Sequence, residues 1–221
     1  TLTTSSAASD VYKRQGKKFD NNSRQGDNPA LQISPTDNGL VSIIYVSKPS
    51  IIKYKDFSKF QNFVMEKHSP SAVEIHKNLD FPLENFSEIY TRYSKALVGV
   101  GTSKGFDTEN NLELELVALE NPYTDNMADG IEILALYNGN PRAFSNLNVF
   151  ERSNTDSSVN TFVVKTNDKG VAVVEVKNDC TYLIDNVIIR PANKKLFKDR
   201  GVIWESLWAA LTFSVIRSNG I

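Results

Sequence analysis

From about residue 110 onward the chain is cut into short apolar runs whose side chains alternate in character, and a period of two admits little besides pleated strands. Leu112, Leu114 and Leu116 alternate with Glu113 and Glu115, which reads as a strand with one dry face and one wet face. Similar runs follow at 131–137, 147–150, 159–165, 171–177, 181–190 and 208–215. Seven strand-like runs with turns between them are more economically an antiparallel sandwich of Ig-like type than any βαβ arrangement. Asn138-Gly139-Asn140-Pro141 punctuates one connection, and Asn167-Asp168-Lys169-Gly170 is expected to close a hairpin in which Gly170 takes a positive φ.

Upstream, the signals are mixed. Residues 16–38 are polar and rich in Asn, Asp, Gln and Gly, as expected of a loop or lead-in. Residues 40–46 form a β-branched run bounded by Asn38-Gly39 and Lys48-Pro49, which predicts a buried strand. Phe57, Phe60, Phe63 and Val64 recur at helical spacing after Asp56 or Ser58 as N-cap, predicting one short amphipathic helix over 57–67. The stretch 88–101 suits either a helix or a strand; a strand from Tyr93 is the reading adopted. Gly99, Gly101 and Gly105 mark an expected boundary near 101–110. The expected organisation is therefore a smaller, truncated β-rich region over 16–105 and a β-sandwich domain over 106–221.

Residues 1–15 stand apart. The eleven residues from Ser5 to Gln15 read as the in-frame translation of a transposase-type sequencing-library adapter, so this segment is expected to be foreign and is set aside from fold reasoning. On that reading the native start, and any signal peptide it carried, is missing.

The string Glu88-Ile89-Tyr90-Thr91-Arg92-Tyr93-Ser94-Lys95-Ala96-Leu97-Val98-Gly99-Val100-Gly101 resembles the "E-x-Y-x-R-x-x-K-x-L-V-x-V-G" stretch of a bacterial domain-of-unknown-function family, whose members are often labelled periplasmic components of nickel or cobalt uptake. Residues 112–123, 166–170 and 204–213 agree with the same family in order. The resemblance implies a periplasmic, extracytoplasmic protein whose C-terminal half is similar to transthyretin-like or carboxypeptidase-regulatory sandwiches. It also implies a transition-metal ion, nickel or cobalt bound transiently, or an envelope transport component as partner.

Charge and composition narrow the function classes. With 25 Lys+Arg against 26 Asp+Glu and no dense basic stripe, nucleic-acid binding is disfavoured. No apolar run approaches the ~20 residues of a membrane-spanning helix. Cys180 is the only cysteine, so intrachain disulfides and CxxC sites are excluded; in a strand-like run it reads as a small buried hydrophobe. The only histidines, His68 and His76, are the metal-ligand candidates, with Glu66, Glu74, Asp80 and Glu84 as possible co-ligands. Eight residues separate them, which fixes no common face; the alternative is surface histidines flanking a helix end and Pro70.

Other candidates carry bland alternatives too. Trp204 and Trp208 could form a stacking platform for a glycan or peptide, or close the core. Arg92 and Lys95, with Tyr90 and Tyr93, could read an anion or snorkel over the sheet. The acidic 112–120 run reads as a half-exposed strand rather than a cation surface, and Asp125, Asp129 and Asp168 as turn formers rather than calcium ligands. No G-x-S-x-G elbow, Walker loop or dinucleotide fingerprint is present. The expectation is a non-catalytic periplasmic binding or accessory protein, with nickel or cobalt uptake as its narrower form. The rival is a structural sandwich module that docks an envelope protein or a glycan.

Overall fold

The computed structural model describes residues 38–215, together with the backbone of 11–14 and 17–19. In chain order the elements are β1 (Val11–Arg14), β2 (Lys17–Phe19), β3 (Gly39–Val46), β4 (Ser50–Asp56), α1 (Phe57–Glu66), α2 (Ser71–Asn78), β5 (Glu84–Val100), β6 (Leu114–Ala118), β7 (Ile131–Tyr137), β8 (Asn140–Pro141), β9 (Asn146–Ser153), β10 (Val159–Lys165), β11 (Val171–Val174), β12 (Cys180–Pro191), α3 (Lys194–Arg200) and β13 (Trp204–Val215). The fold is mostly β, with antiparallel strands in a sandwich, as the alternating runs predict. One sheet runs β10-β9-β12-β13-β5-β3-β1-β2, with β4 also on β5; the second runs β11-β7-β6, with β8 on β7. No helix among the described residues is long and apolar enough to cross a membrane.

The backbone divides into two compact units that interleave along the chain. The first comprises Thr1–Ser47, Tyr93–Asn186 and Ala209–Ile221; the second comprises Lys48–Arg92 and Val187–Trp208. Strands β5, β12 and β13 contribute residues to both. The expected loop over 16–38 and the set-aside residues 1–15 lie largely outside the described residues. Within those spans, β1 pairs with β2 and with β3, a ladder of backbone bonds that an open strand edge offers to any extended chain.

In the first unit, buried side chains come from both sheets: Leu97, Leu147, Val149, Tyr182, Ile184, Leu211 and Phe213 from one, and Leu114, Leu116, Ile131, Ile133, Ala172 and Val174 from the other. Two sequence expectations are corrected here. Asn167 to Gly170 does not close a hairpin, because β10 lies in the first sheet and β11 in the second, so the turn carries the chain between sheets. Asn167 Oδ1 accepts from the backbone N–H of Lys169 and of Val171, and Gly170 does take the expected positive φ of 77°. The true tight hairpin is β7–β8, where Asn138 and Gly139, both at positive φ, join Tyr137 to its partner Asn140. The second correction concerns β6, all five residues of which are buried, so the strand has no wet face. Glu115 is only 2% exposed. A buried carboxylate needs compensation, and its partners are described below.

The second unit places two helices against strand. Asp56 caps α1 by accepting from Lys59 N, and Phe60 and Val64 are buried one turn apart, as the spacing predicts. They join Tyr54, Ala72, Phe86, Ile203 and Trp204 in one apolar cluster. Helix α2, absent from the sequence reading, buries Ala72 and His76 against the same cluster. Strand β5 starts at Glu84, nine residues earlier than expected, so the helix-compatible spacing of Ile89, Tyr93 and Leu97 belongs to a strand of 17 residues.

Candidate functional site

Strand geometry explains the two motif-like strings of the second unit. Side chains two apart share a face, so Phe86, Glu88, Tyr90 and Arg92 of β5 line up. On β4, Ile52 lies opposite Glu88 and Tyr54 opposite Phe86, which puts both on that face as well. On β13, Trp204, Ser206 and Trp208 share one face by the same rule.

These residues, together with Lys53 on β4 and Lys59 and Phe63 on α1, enclose a groove of about 500 Å³. At its floor sits Glu88, 2% exposed. One carboxylate oxygen accepts from Tyr54 OH at 2.7 Å and the other from Ser206 OH. Ser206 Oγ in turn accepts from Trp208 Nε1 at 2.9 Å. Because an indole N–H can only donate, the direction of this chain is set: Trp208 to Ser206 to Glu88. Burial pushes the Glu88 carboxyl above its ordinary range, against the opposing hydrogen bonds from Ser206 and Tyr54. Burial, with the nearby Glu88, also pushes the Tyr54 hydroxyl up.

The rim is cationic and aromatic. Phe63 stacks on Trp208 with centroids 5.5 Å apart and planes at 15°. Lys67 Nζ stands 5.0 Å from the Trp208 centroid, and the Arg92 guanidinium 5.6 Å from it and 5.4 Å from that of Tyr90. Such cation–π contacts hold a guanidinium flat on the rings. The π-surface of Trp208 is thus taken up by protein groups, which weakens the sugar-stacking idea. The expected pairing of the two tryptophans splits: Trp208 is half-buried in the groove, whereas Trp204 is fully buried.

His76 is also fully buried, among Phe57, Phe60, Phe81, Phe86 and Trp204. Its Nδ1 accepts from Trp204 Nε1 at 3.0 Å, so Nε2 carries the proton and donates to the Pro82 carbonyl at 3.1 Å. Burial holds this imidazole below its usual range. Arranged this way, the ring offers a metal no lone pair. His68 is exposed, at a positive φ of 54° just past α1. Glu66, Glu74, Asp80 and Glu84 are exposed as well. Among the described residues no three His, Cys, Asp or Glu side chains come together as a metal cluster.

Lys95 does not snorkel or read an anion from solution; it lies at the centre of a buried ionic knot in the first unit. Its Nζ is 3.1 Å from Asp107 Oδ2, 2.9 Å from Glu115 Oε1 and 3.2 Å from the Thr108 carbonyl. Asp107 also accepts from the backbone N–H of Thr108 and Ala118, and Glu115 from those of Asn110 and Leu112. Burial raises the Asp107 carboxyl despite the Lys95 charge. With its acceptors turned onto backbone, the knot pins the 107–115 segment. Cys180 is buried as expected, and burial raises its thiol. Asp125 accepts from Asn121 N at 2.8 Å, in keeping with its role as a turn former.

A family model described as "Domain of unknown function (DUF4198)" matches residues 3–189. The chain belongs to the DUF4198 family. The matched span includes Glu88, Tyr90 and Arg92 of the groove and Lys95 of the knot, while Ser206 and Trp208 lie beyond it. Searches of curated proteins and of solved structures gave no match. The sequence groups Arg92 with Tyr90 and Trp208 with Trp204 but does not bring the two sets together, although alternation alone puts Glu88 with Tyr90 and Ser206 with Trp208.

Proposed function

We propose that this DUF4198 protein is a non-catalytic, extracytoplasmic binding protein whose site is the groove over Glu88. The observation that carries the reading is the concave junction of β4, α1, β5 and β13, where an apolar and aromatic lining meets a few convergent charged groups, the usual make-up of a ligand site. A raised carboxyl in a cleft can also signal catalysis. Here both Glu88 oxygens are held by protein hydroxyls and the His76 nitrogens are both engaged, an arrangement that favours holding over turnover. The extracytoplasmic setting and the narrower role in nickel or cobalt uptake rest on the family resemblance.

The test is saturable binding of a small-molecule and oligosaccharide panel, read by isothermal calorimetry. A ligand whose affinity falls with Arg92→Ala and Trp208→Ala supports the reading. Binding indifferent to both substitutions, or turnover of any panel member, overturns it. Retention of stoichiometric Ni²⁺ or Co²⁺ after dialysis is the corresponding test of the metal role.

A second reading has its own observation. Among the described residues β4 pairs only with β5, and Ile51 and Ile52 on it are 45% and 43% exposed. An open strand with exposed apolar side chains suits edge addition by an extended segment of another envelope protein.

A further inference from the structure

The link between β8 and β9, residues 142–145, is fixed from both sheets of the first unit. The Arg142 backbone N–H donates to the Ala135 carbonyl at 2.8 Å, and the Arg142 carbonyl accepts from the Thr166 hydroxyl at 2.7 Å. The same hydroxyl oxygen accepts from Ser145 N–H at 2.8 Å, Thr166 N–H donates to the Ser145 carbonyl at 2.9 Å, and Phe144 N–H reaches the Asn167 carbonyl at 3.3 Å. Two side chains on this rigid link are not explained by the fold.

The first is Arg142, half-buried. A guanidinium carries five N–H donors and no acceptor. Here Nη1 donates to the Asn186 amide oxygen, and Asn186 cannot turn away, because its own N–H groups are held by Ser145 Oγ and the Asn146 carbonyl at 2.8 Å each. Among the described residues no carboxylate pairs with Arg142. Burial, with no opposing charge beside it, holds the guanidinium below its usual range. A cation taken part-way out of water against one neutral acceptor is under-compensated.

The second is Phe144, which is 64% exposed at a positive φ of 53°. Solvent-facing positions in the left-handed region are ordinarily filled by Gly or Asn, and a bulky side chain there costs stability. The Lys165 ammonium lies 5.9 Å from the ring centroid. Two residues of chain cannot place the Cα atoms of Arg142 and Phe144 more than about 7 Å apart.

We infer that this link is a docking point for an acidic segment of a protein partner, one carboxylate pairing with the Arg142 guanidinium while a neighbouring apolar side chain packs on the Phe144 ring. A carboxylate matches the guanidinium fork and forms charge-assisted hydrogen bonds with it. Lys165 adds positive charge, and Asp168 and Lys169 in the adjoining turn offset each other, so a basic partner is disfavoured. An arginine beside an outward-standing aromatic ring, both on a preorganised frame, is the make-up of a protein-interface hot spot.

The experiment is a nuclear magnetic resonance titration of the ¹⁵N-labelled full chain, followed at the Arg142 Nε–Hε signal, which Arg142→Lys assigns. The probes are the peptide acetyl-Gly-Glu-Leu-Gly-amide, its Gln counterpart and acetate. The Glu peptide should shift the signal saturably, with the Gln peptide and acetate each about tenfold or more weaker, the scale of one charge-assisted hydrogen bond. Phe144→Gly, at an exposed position, should keep or raise the melting temperature and weaken the Glu peptide several-fold, leaving acetate unchanged. Arg142→Lys, which keeps the charge and loses the fork, should also weaken the peptide.

An unmoved Arg142 signal overturns the inference. So does acetate as effective as the Glu peptide, which would make this a site for small anions only. Peptide binding indifferent to Phe144→Gly, or a melting temperature lowered by several degrees in that variant, would make the phenyl ring a part of the scaffold and overturn its docking role. A signal that moves with protein concentration alone would put a second copy of the chain on the site in place of a separate partner.

Discussion

His76 is the residue whose environment most directly sets a measurable property. Its ring is neutral and buried, whereas the unfolded chain exposes an imidazole of about 6.5. Between that value and the lowered native one, unfolding takes up a proton, so native stability is full above the unfolded value and is lost as pH falls through this window. The slope can reach about 1.4 kcal/mol per pH unit. Urea unfolding at a series of pH values should show it in the wild type and in His68→Ala, but not in His76→Gln; an equal slope in the last would place the titration elsewhere. Lys95 makes the opposite case, a charge that is buried and paired. Lys95→Met leaves Asp107 and Glu115 without their cation and should cost about 3–5 kcal/mol. Adding Glu115→Gln should recover part of that loss, a coupling that a double-mutant cycle measures. Neither residue's fate was legible in the sequence. Its pattern shows which side of a strand a residue takes, and what covers that side comes from segments distant in the chain: Trp204 for His76, and Asp107 with Glu115 for Lys95.

At the scale of elements, legibility follows how local the signal is. Helix α1 and strand β3 could be read because their own residues carry both pattern and boundaries, down to the Asp56 cap. Helix α3 carries comparable end signals, Asn193 as N-cap and Gly201 in the left-handed region beyond its end, but buries no residue, so no apolar stripe marks it. Of the long strands, the alternation marks β12 almost whole but only the later parts of β5 and β13; the first part of β5 carries mixed polar and aromatic residues where β4 pairs with it. The turns separate the same way. Gly139 sits in a hairpin closed by its own neighbours, and a methyl group there would meet nothing within 4 Å, so Gly139→Ala should cost only the left-handed backbone penalty of about 1 kcal/mol. Gly170 has a similar φ, but an added Cβ would lie 2.7 Å from Arg142 N and 3.1 Å from Ala135 O. The Gly170 carbonyl also accepts from Ala135 N. Gly170→Ala should therefore cost about 2–3 kcal/mol. Thermal or urea unfolding of the two variants decides it, and equal losses would mean that the Ala135 and Arg142 contacts are not what holds this turn.

For the whole molecule, the physical question is whether a boundary near residue 105 could separate two folding entities, as glycine clustering and the change in hydrophobic pattern suggest. The first compact unit draws on Tyr93–Asn186 and Ala209–Ile221, but also on residues up to Ser47. A fragment of residues 106–221 would keep β6 to β13 and lose β3 and β5. Strand β13 would then lose a neighbour in the sheet and expose an unpaired edge. Leu97, 2% exposed, would leave the core, and the Lys95 ammonium would leave Asp107 and Glu115 buried together without a cation. Cavity and charge terms of this kind each reach several kcal/mol, against a total stability of about 5–15 kcal/mol. The fragment should therefore show no cooperative urea transition and little near-ultraviolet circular dichroism, whereas residues 38–215 should show both. Lys95→Met within 38–215 should fall between the two. A sharp transition for 106–221, with the stability of the longer chain, would mean that β3 and β5 are accessories to the sandwich, and that the knot around Lys95 adds nothing that solvent cannot supply.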